Sequence, residues 1–137
     1  MASLLEGETD VIACLANASA LIFDVVDDLN WAGFYFVKGD ELVLGPFQGK
    51  PACVRLKVGK GVCGTAVKEA RSVVVRDVHE FEGHIACDSA SMSEMVVPIK
   101  KGGEIICVLD LDSPNLNRFE SIADIIIETA REIEKAL

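Results

Sequence analysis

The chain has 137 residues, with 13 basic and 22 acidic side chains and a formal net charge of −9, a length that supports a single domain. Half of the residues are apolar and mean hydropathy is +0.34, enough for a packed core, which excludes a disordered or low-complexity chain. The acidic balance opposes nucleic acid and anionic membrane surfaces alike.

The first apolar stretch, Val11 to Phe23, is interrupted by Asn17 and Ser19 and stops at Asp24, short of the roughly 18 residues a bilayer span needs. Glu6, Glu8 and Asp10 precede it where a secretory signal would carry positive charge, so the expected location is the cytoplasm. Val11, Ile12, Leu15, Ala18, Ile22, Val25 and Leu29 recur at three and four, which predicts an amphipathic helix cut off by Asp27, Asp28 and Asn30.

The period then changes. Phe34–Val37, Leu42–Leu44, Cys53–Leu56, Val73–Val75, Met95–Val97 and Ile105–Leu109 read as short strands, with turn signals at Lys38-Gly39-Asp40, Gly45-Pro46 and Lys101-Gly102-Gly103. A short helix is expected around Gly64 to Ala70 and an irregular stretch from Asp77 to Ser91. Phe119, Ile122, Ala123, Ile126, Ala130, Ile133 and Leu137 restore the helical period, with Asn117 as N-cap and Glu120 three residues on. The expected fold is α+β: an antiparallel sheet of about six strands, the N- and C-terminal helices on one face, and a ligand pocket on the other.

Two loops contain Gly-Lys, Gly45 to Lys50 and Gly59 to Gly64, but neither has phosphate-loop spacing, and the first puts Pro51 where Ser or Thr should stand. They read as turns. Cys14, Cys53, Cys63, Cys87 and Cys107 are an odd set that cannot all close internal disulfides. Cys14 on a helix and Cys107 in a strand read as small buried hydrophobes. Cys87 lies in an irregular segment, three residues from His84, and reads either as a surface thiol or as a reactive thiolate beside a cation. Cys63 stands where a short helix begins, a position that favours a thiolate. Zinc held by His79, His84, Cys87 and another ligand lacks the paired spacing of structural sites.

The last hairpin brings acids together. With a three-residue Lys101-Gly102-Gly103 loop, Lys100 faces Glu104 and Glu94 faces Asp110, with Asp112 on the same face. Met95, Val97, Ile99, Ile105, Cys107, Leu109 and Leu111 then face the core. Like charges opposed on a sheet are destabilising, so the cluster calls for a cation, either a metal ion or a ligand's ammonium group; a solvated edge in a register two residues away is the alternative. Trp31 and Tyr35, four apart, share one strand face and read either as a pocket wall or as a cap on the core.

Six segments together carry a resemblance: Asn30–Tyr35, Gly45–Cys53, Gly59–Gly64, His84–Ser89, Ser93-Glu94 and Asp110–Pro114. In that order they resemble the free methionine-(R)-sulfoxide reductases, enzymes of the GAF-domain class, from about Leu5 onward. The N-terminus is shorter than the family's usual leading helix. The resemblance implies a single GAF-like domain over residues 1–137 that reduces free L-methionine-(R)-S-oxide to L-methionine. It implies Cys87 as nucleophile, Cys53 as resolving thiol and Cys63 as auxiliary thiol. Glu94, Asp110, Asp112, Trp31 and Tyr35 would bind the substrate. It further implies no metal and no bound cofactor, an external dithiol reductant in the form of thioredoxin with its NADPH-dependent reductase, and allows a homodimer. The competing readings are a non-catalytic GAF-type ligand-binding module, which would need output domains or a coiled-coil linker for which 137 residues are expected to leave no room, and a thiol redox sensor, which does not explain the carboxylates.

Overall fold

In the computed structural model, which describes residues 1–85 and 87–137, Asp10 caps the first long helix by accepting from the Ala13 amide at 2.9 Å. That helix, α2 (Val11–Val25), follows one short turn, α1 (Ala2–Leu5), which the sequence pattern did not reveal. Strands β1 (Trp31–Lys38), β2 (Glu41–Gly49) and β3 (Arg55–Lys57) come next, then α3 (Gly61–Glu69), β4 (Val73–Val75), β5 (Ser93–Lys101), β6 (Glu104–Ser113) and α4 (Ala123–Ala136). The sheet order is β3-β2-β1-β6-β5-β4 and every neighbouring pair is antiparallel. This is the expected six-stranded α+β architecture. No helix among the described residues is long and apolar enough to cross a membrane.

Alternation divides the sheet into two environments. One face, with Ala32, Phe34, Met95, Val97, Ile99, Cys107, Leu109 and Leu111, packs against α2 and α4 through Leu15, Ala18, Ile22, Ile126, Ala130 and Ile133. The other, with Trp31, Tyr35, Val96 and Val108, packs against α3 through Val62, Cys63 and Ala66.

The β5–β6 hairpin corrects the expected register. Lys101 pairs with Glu104 across a two-residue turn whose Gly102 and Gly103 both have left-handed φ, 61° and 83°, the conformation that tight hairpins require and glycine supplies without strain. A bulge then leaves Ile106 without a partner, because Lys100 pairs with Ile105 and Ile99 with Cys107. Glu94 therefore faces Asp112, and Val96 faces Asp110. The two one-residue shifts sum to an even number, so every side chain beyond the bulge keeps its expected face. Within the bulge it does not: Ile106 rather than Ile105 packs against the helix-covered core.

Smaller corrections follow from backbone detail. Asn117 does not cap α4; it adopts φ 48° and its amide donates to Arg76 O at 2.8 Å, and a 3₁₀ turn over Glu120–Ile122 leads into the helix instead. The third strand begins at Arg55, which leaves Cys53 and Val54 in the preceding loop. Helix α3 starts at Gly61, three residues earlier than its apolar pattern suggests, and ends where Ala70 turns left-handed.

Candidate active site

The α3 side of the sheet carries buried carboxylates where its other face carries apolar groups and the hydroxyls of Ser93 and Ser113. Glu94 on β5 and Asp110 and Asp112 on β6 all point beneath α3, and Glu94 and Asp110 are only 7% and 5% exposed. Asp110 is paired across β1 with Gly33 and Asp112 with Trp31. A side chain at Gly33 would collide with Phe47 and with the Trp31 ring, so glycine there is what lets Phe47 stack on Trp31 at 5.2 Å. Trp31 and Tyr35 stack at 5.9 Å and form the apolar wall of a pocket whose floor is the three carboxylates.

Burial is the largest influence on the electrostatics of that floor. Desolvation pushes Glu94 up to about 8, helped by the charge of Asp112 and opposed by a hydrogen bond with Asp110. Asp110 rises well above the usual carboxylate range, first from burial and then from Glu94. Asp112 rises for the same reasons, with Asp110 and Asp88 as its charged neighbours. One oxygen of Asp110, Oδ1, is buried with no hydrogen-bond partner, a costly state for a polar atom that a bound donor would relieve. His84 Nε2 stands 3.5 Å from Glu94 Oε1, and burial lowers its pKa against the pull of Asp110. The histidine thus serves the carboxylate floor, where the sequence had placed it beside Cys87 as a cation.

Cys63 corrects a second expectation. It is the third residue of α3, where a helix N-terminus favours a thiolate, yet burial and the carboxylates Asp110, Glu94 and Asp112 drive its pKa well above the ordinary thiol value. Desolvation and three acids outweigh one helix end. Donor atoms of Cys63, Glu94 and Asp110 lie within 4.8 Å of one another, the one such cluster among the described residues. Neither His79 nor His84 joins it, and His79 is exposed and paired with Asp77 at 3.0 Å. Donor atoms so placed could hold a cation, either a metal ion or an ammonium group.

At the pocket mouth Cys53 and Cys87 are joined by a disulfide, their Cα atoms 5.8 Å apart across 34 residues of sequence. Two hydrogen bonds from β1 position the Cys53 loop: Tyr35 donates its hydroxyl to Cys53 O at 2.8 Å, and Trp31 donates Nε1 to Lys50 O at 3.2 Å. The aromatic wall therefore also anchors the thiol loop. Asn30 does the same for the Cys87 loop, donating Nδ2 to Asp88 Oδ2 and Ser91 Oγ at 3.1 and 3.0 Å. Asp88 in turn accepts from the Ala90 amide, which holds its carboxyl below the usual range. Ala86, within the His84–Ser89 segment, lies outside the described residues.

All the residues singled out from sequence, Trp31, Tyr35, Cys53, Cys63, Cys87, Glu94, Asp110 and Asp112, thus meet in one region, while Cys14 and Cys107 sit in the helix-covered core. Phe47 and Asn30 were missed as individuals. Their signal lay in their segments, Gly45–Cys53 and Asn30–Tyr35, rather than in any periodicity.

A GAF-domain family model matches residues 15–137. The free methionine-R-sulfoxide reductase of Escherichia coli is 56% identical over 117 residues, covering 85% of this chain and 71% of that protein. Among solved structures, fRMsr of Staphylococcus aureus in complex with substrate superposes with a TM-score of 0.94 at 54% identity, covering 99% of this chain and 90% of the other. The free methionine-R-sulfoxide reductase of Neisseria meningitidis in complex with its substrate gives 0.94 at 45%, covering 98% and 82%.

Proposed function

The chain belongs to the free methionine-R-sulfoxide reductase family of GAF-domain proteins, and from that premise we propose that it reduces free L-methionine-(R)-S-oxide to L-methionine with electrons from thioredoxin. The observation that carries this reading is the Cys53–Cys87 disulfide at the mouth of a pocket floored by Glu94, Asp110 and Asp112. The thiols supply the two electrons and the carboxylates choose the substrate.

The Cys87 thiolate attacks the sulfoxide sulfur, and the oxygen passes to Cys87 as a sulfenic acid while methionine leaves. The Cys53 thiolate then attacks Cys87 Sγ, expelling the oxygen as water and closing the disulfide. An external dithiol restores both thiols. Cys63, protonated beside Asp110, is the auxiliary thiol. His84 and the protonated carboxyls are the groups near the floor able to hold or release the protons this exchange consumes.

Selectivity follows from charge. A free amino acid has an α-ammonium that a peptide residue lacks, and that group can pair with the three carboxylates and the unpartnered oxygen of Asp110. The floor holds protons when empty, so binding a cation releases some of them. NADPH consumption with thioredoxin and thioredoxin reductase tests the reading: oxidation upon adding free methionine-(R)-sulfoxide supports it, and absence of turnover with purified, reduced protein contradicts it.

A further inference from the structure

Charge is placed unevenly along this acidic chain. Residues 42–68 carry Lys50, Arg55, Lys57, Lys60 and Lys68 and no Asp or Glu, and all five are exposed. This segment bears Cys53 and all of α3 but its last residue, Glu69. Lys50 reaches close enough to the opposing loop for its charge to help depress Asp88, the neighbour of Cys87. Lys60 lines the pocket mouth with Pro51, Ala52 and Cys87.

Two large apolar side chains stand in solvent beside the disulfide. Val54, next to Cys53, is 61% exposed, and Ile85, two residues before Cys87, is 40% exposed. Ile85 lies over Gly61 at the start of α3. Cys87 itself is exposed while Cys53 is half-buried, so the bond is open to approach from this side.

We propose that Val54 and Ile85, rimmed by Lys50 and Lys60, form the docking surface for a small acidic protein that presents an exposed dithiol. This rests on the reductase reading above and names the partner surface of the same disulfide. One thiolate of the partner bonds to one sulfur of Cys53–Cys87 and the other cysteine leaves as a thiolate. The partner's second thiol then attacks the mixed disulfide, releasing both cysteines reduced and carrying two electrons' worth of oxidation away as its own disulfide. Attack along the S–S axis forces the partner's surface against whatever surrounds the bond. Here the exposed side chains flanking the two cysteines include the apolar Val54 and Ile85 and the basic Lys50 and Lys60, with Asp88 the acidic neighbour of Cys87; aliphatic contact buried on docking holds such a complex and opposite charge steers it. A small dithiol makes the same exchange with no need of a surface.

That difference supplies the test. Turnover of free methionine-(R)-sulfoxide is measured with thioredoxin, thioredoxin reductase and NADPH, and separately with dithiothreitol, for the wild type, Val54→Asp and Lys50→Glu. The expected result is a rise of about tenfold in KM for thioredoxin in Val54→Asp and a few-fold in Lys50→Glu, the latter with a flatter salt dependence. Dithiothreitol-supported turnover stays at the wild-type level in both. If Val54→Asp or Lys50→Glu loses that turnover as well, Val54→Ser or Lys50→Gln replaces it under the same criterion. An unchanged KM for thioredoxin in the apolar and the charge variant overturns the docking surface. A wild type that turns over with dithiothreitol but not with thioredoxin overturns the acidic dithiol partner, whereas a wild type inactive with both overturns the reductase reading itself.

Discussion

Along β1 the side chains of Ala32 and Phe34 turn toward α2 and α4, while those of Trp31 and Tyr35 turn toward α3. The same division runs through β5 and β6, where Met95, Leu109 and Leu111 face the helices and Glu94, Asp110 and Asp112 face the pocket. On the helix-covered face burial is matched by apolar contact, and its two thiols are inert: desolvation drives Cys107 up to about 12 and raises Cys14. On the pocket face burial is unmatched, so carboxylates and Cys63 are driven up together and Asp110 keeps an unpartnered oxygen. Uncompensated buried charge costs stability. Its concentration on one face of one sheet is what makes that face the candidate ligand site.

The sharpest contrast between the faces lies in their cysteines. Cys87→Ser should lower turnover by on the order of a thousandfold or more, because an alcohol cannot take up oxygen from sulfur. Cys14→Ala and Cys107→Ala, on the helix-covered side, should leave kcat/KM within about threefold of wild type. Steady-state assays of the three purified variants decide it, and substantial activity in Cys87→Ser would remove that residue as the nucleophile.

Substrate charge sharpens the same comparison. N-acetylating the substrate deletes the cation that Glu94, Asp110 and Asp112 are arranged to pair. Charge-assisted hydrogen bonds contribute roughly 1.5–3 kcal/mol each, so losing two should lower kcat/KM by on the order of a hundredfold or more. Equal kcat/KM for the free and acetylated sulfoxides would eliminate the ammonium cradle while leaving the thiol chemistry standing.

A smaller effect separates the faces by pH. Glu94 has a folded pKa of about 8 against an ordinary value of 4.5. The stability it contributes is complete below about pH 4.5 and is lost as pH rises through about 8. Glu94→Gln should therefore flatten the decline in Tm between pH 5 and 8 and raise Tm at pH 8 by roughly 5 °C. Cys107→Ala, whose thiol titrates far outside that window, should shift Tm equally at both pH values. Thermal scans of ligand-free protein at pH 5 and 8 read both, and parallel curves for wild type and Glu94→Gln would refute the assignment.

Much of this division was legible in the sequence because it depends on parity. Alternating residues on β5 and β6 separate Leu109 from Asp110 whatever the register, so the two-residue shift imposed by the Gly102-Gly103 turn and the Ile106 bulge left the carboxylates together. Ile105 and Ile106 exchanged faces because a bulge breaks parity locally, and no composition signal marks an extra residue. The capping of α4 was misread for a related reason: Asn117 serves the Arg76 carbonyl, a tertiary contact invisible to local pattern. Cys63 failed differently. Its helix-start position was read correctly in type, but its protonation is set by acids from β5 and β6 that only the folded sheet brings beneath it. Asn30 and the hydroxyl of Tyr35 likewise act through loops that approach them from distant sequence.

The central claim is that one face of the sheet unites a reacting thiol pair with a cradle for a free amino acid. Its most direct test is a single turnover: fully reduced protein is mixed with one equivalent of free methionine-(R)-sulfoxide, methionine is quantified, and the thiols are mapped by peptide analysis. The account predicts one methionine formed for each Cys53–Cys87 bond closed, with Cys14, Cys63 and Cys107 remaining as thiols. Methionine formed without thiol loss, or a bond closed between Cys63 and Cys87 in place of Cys53 and Cys87, would contradict it.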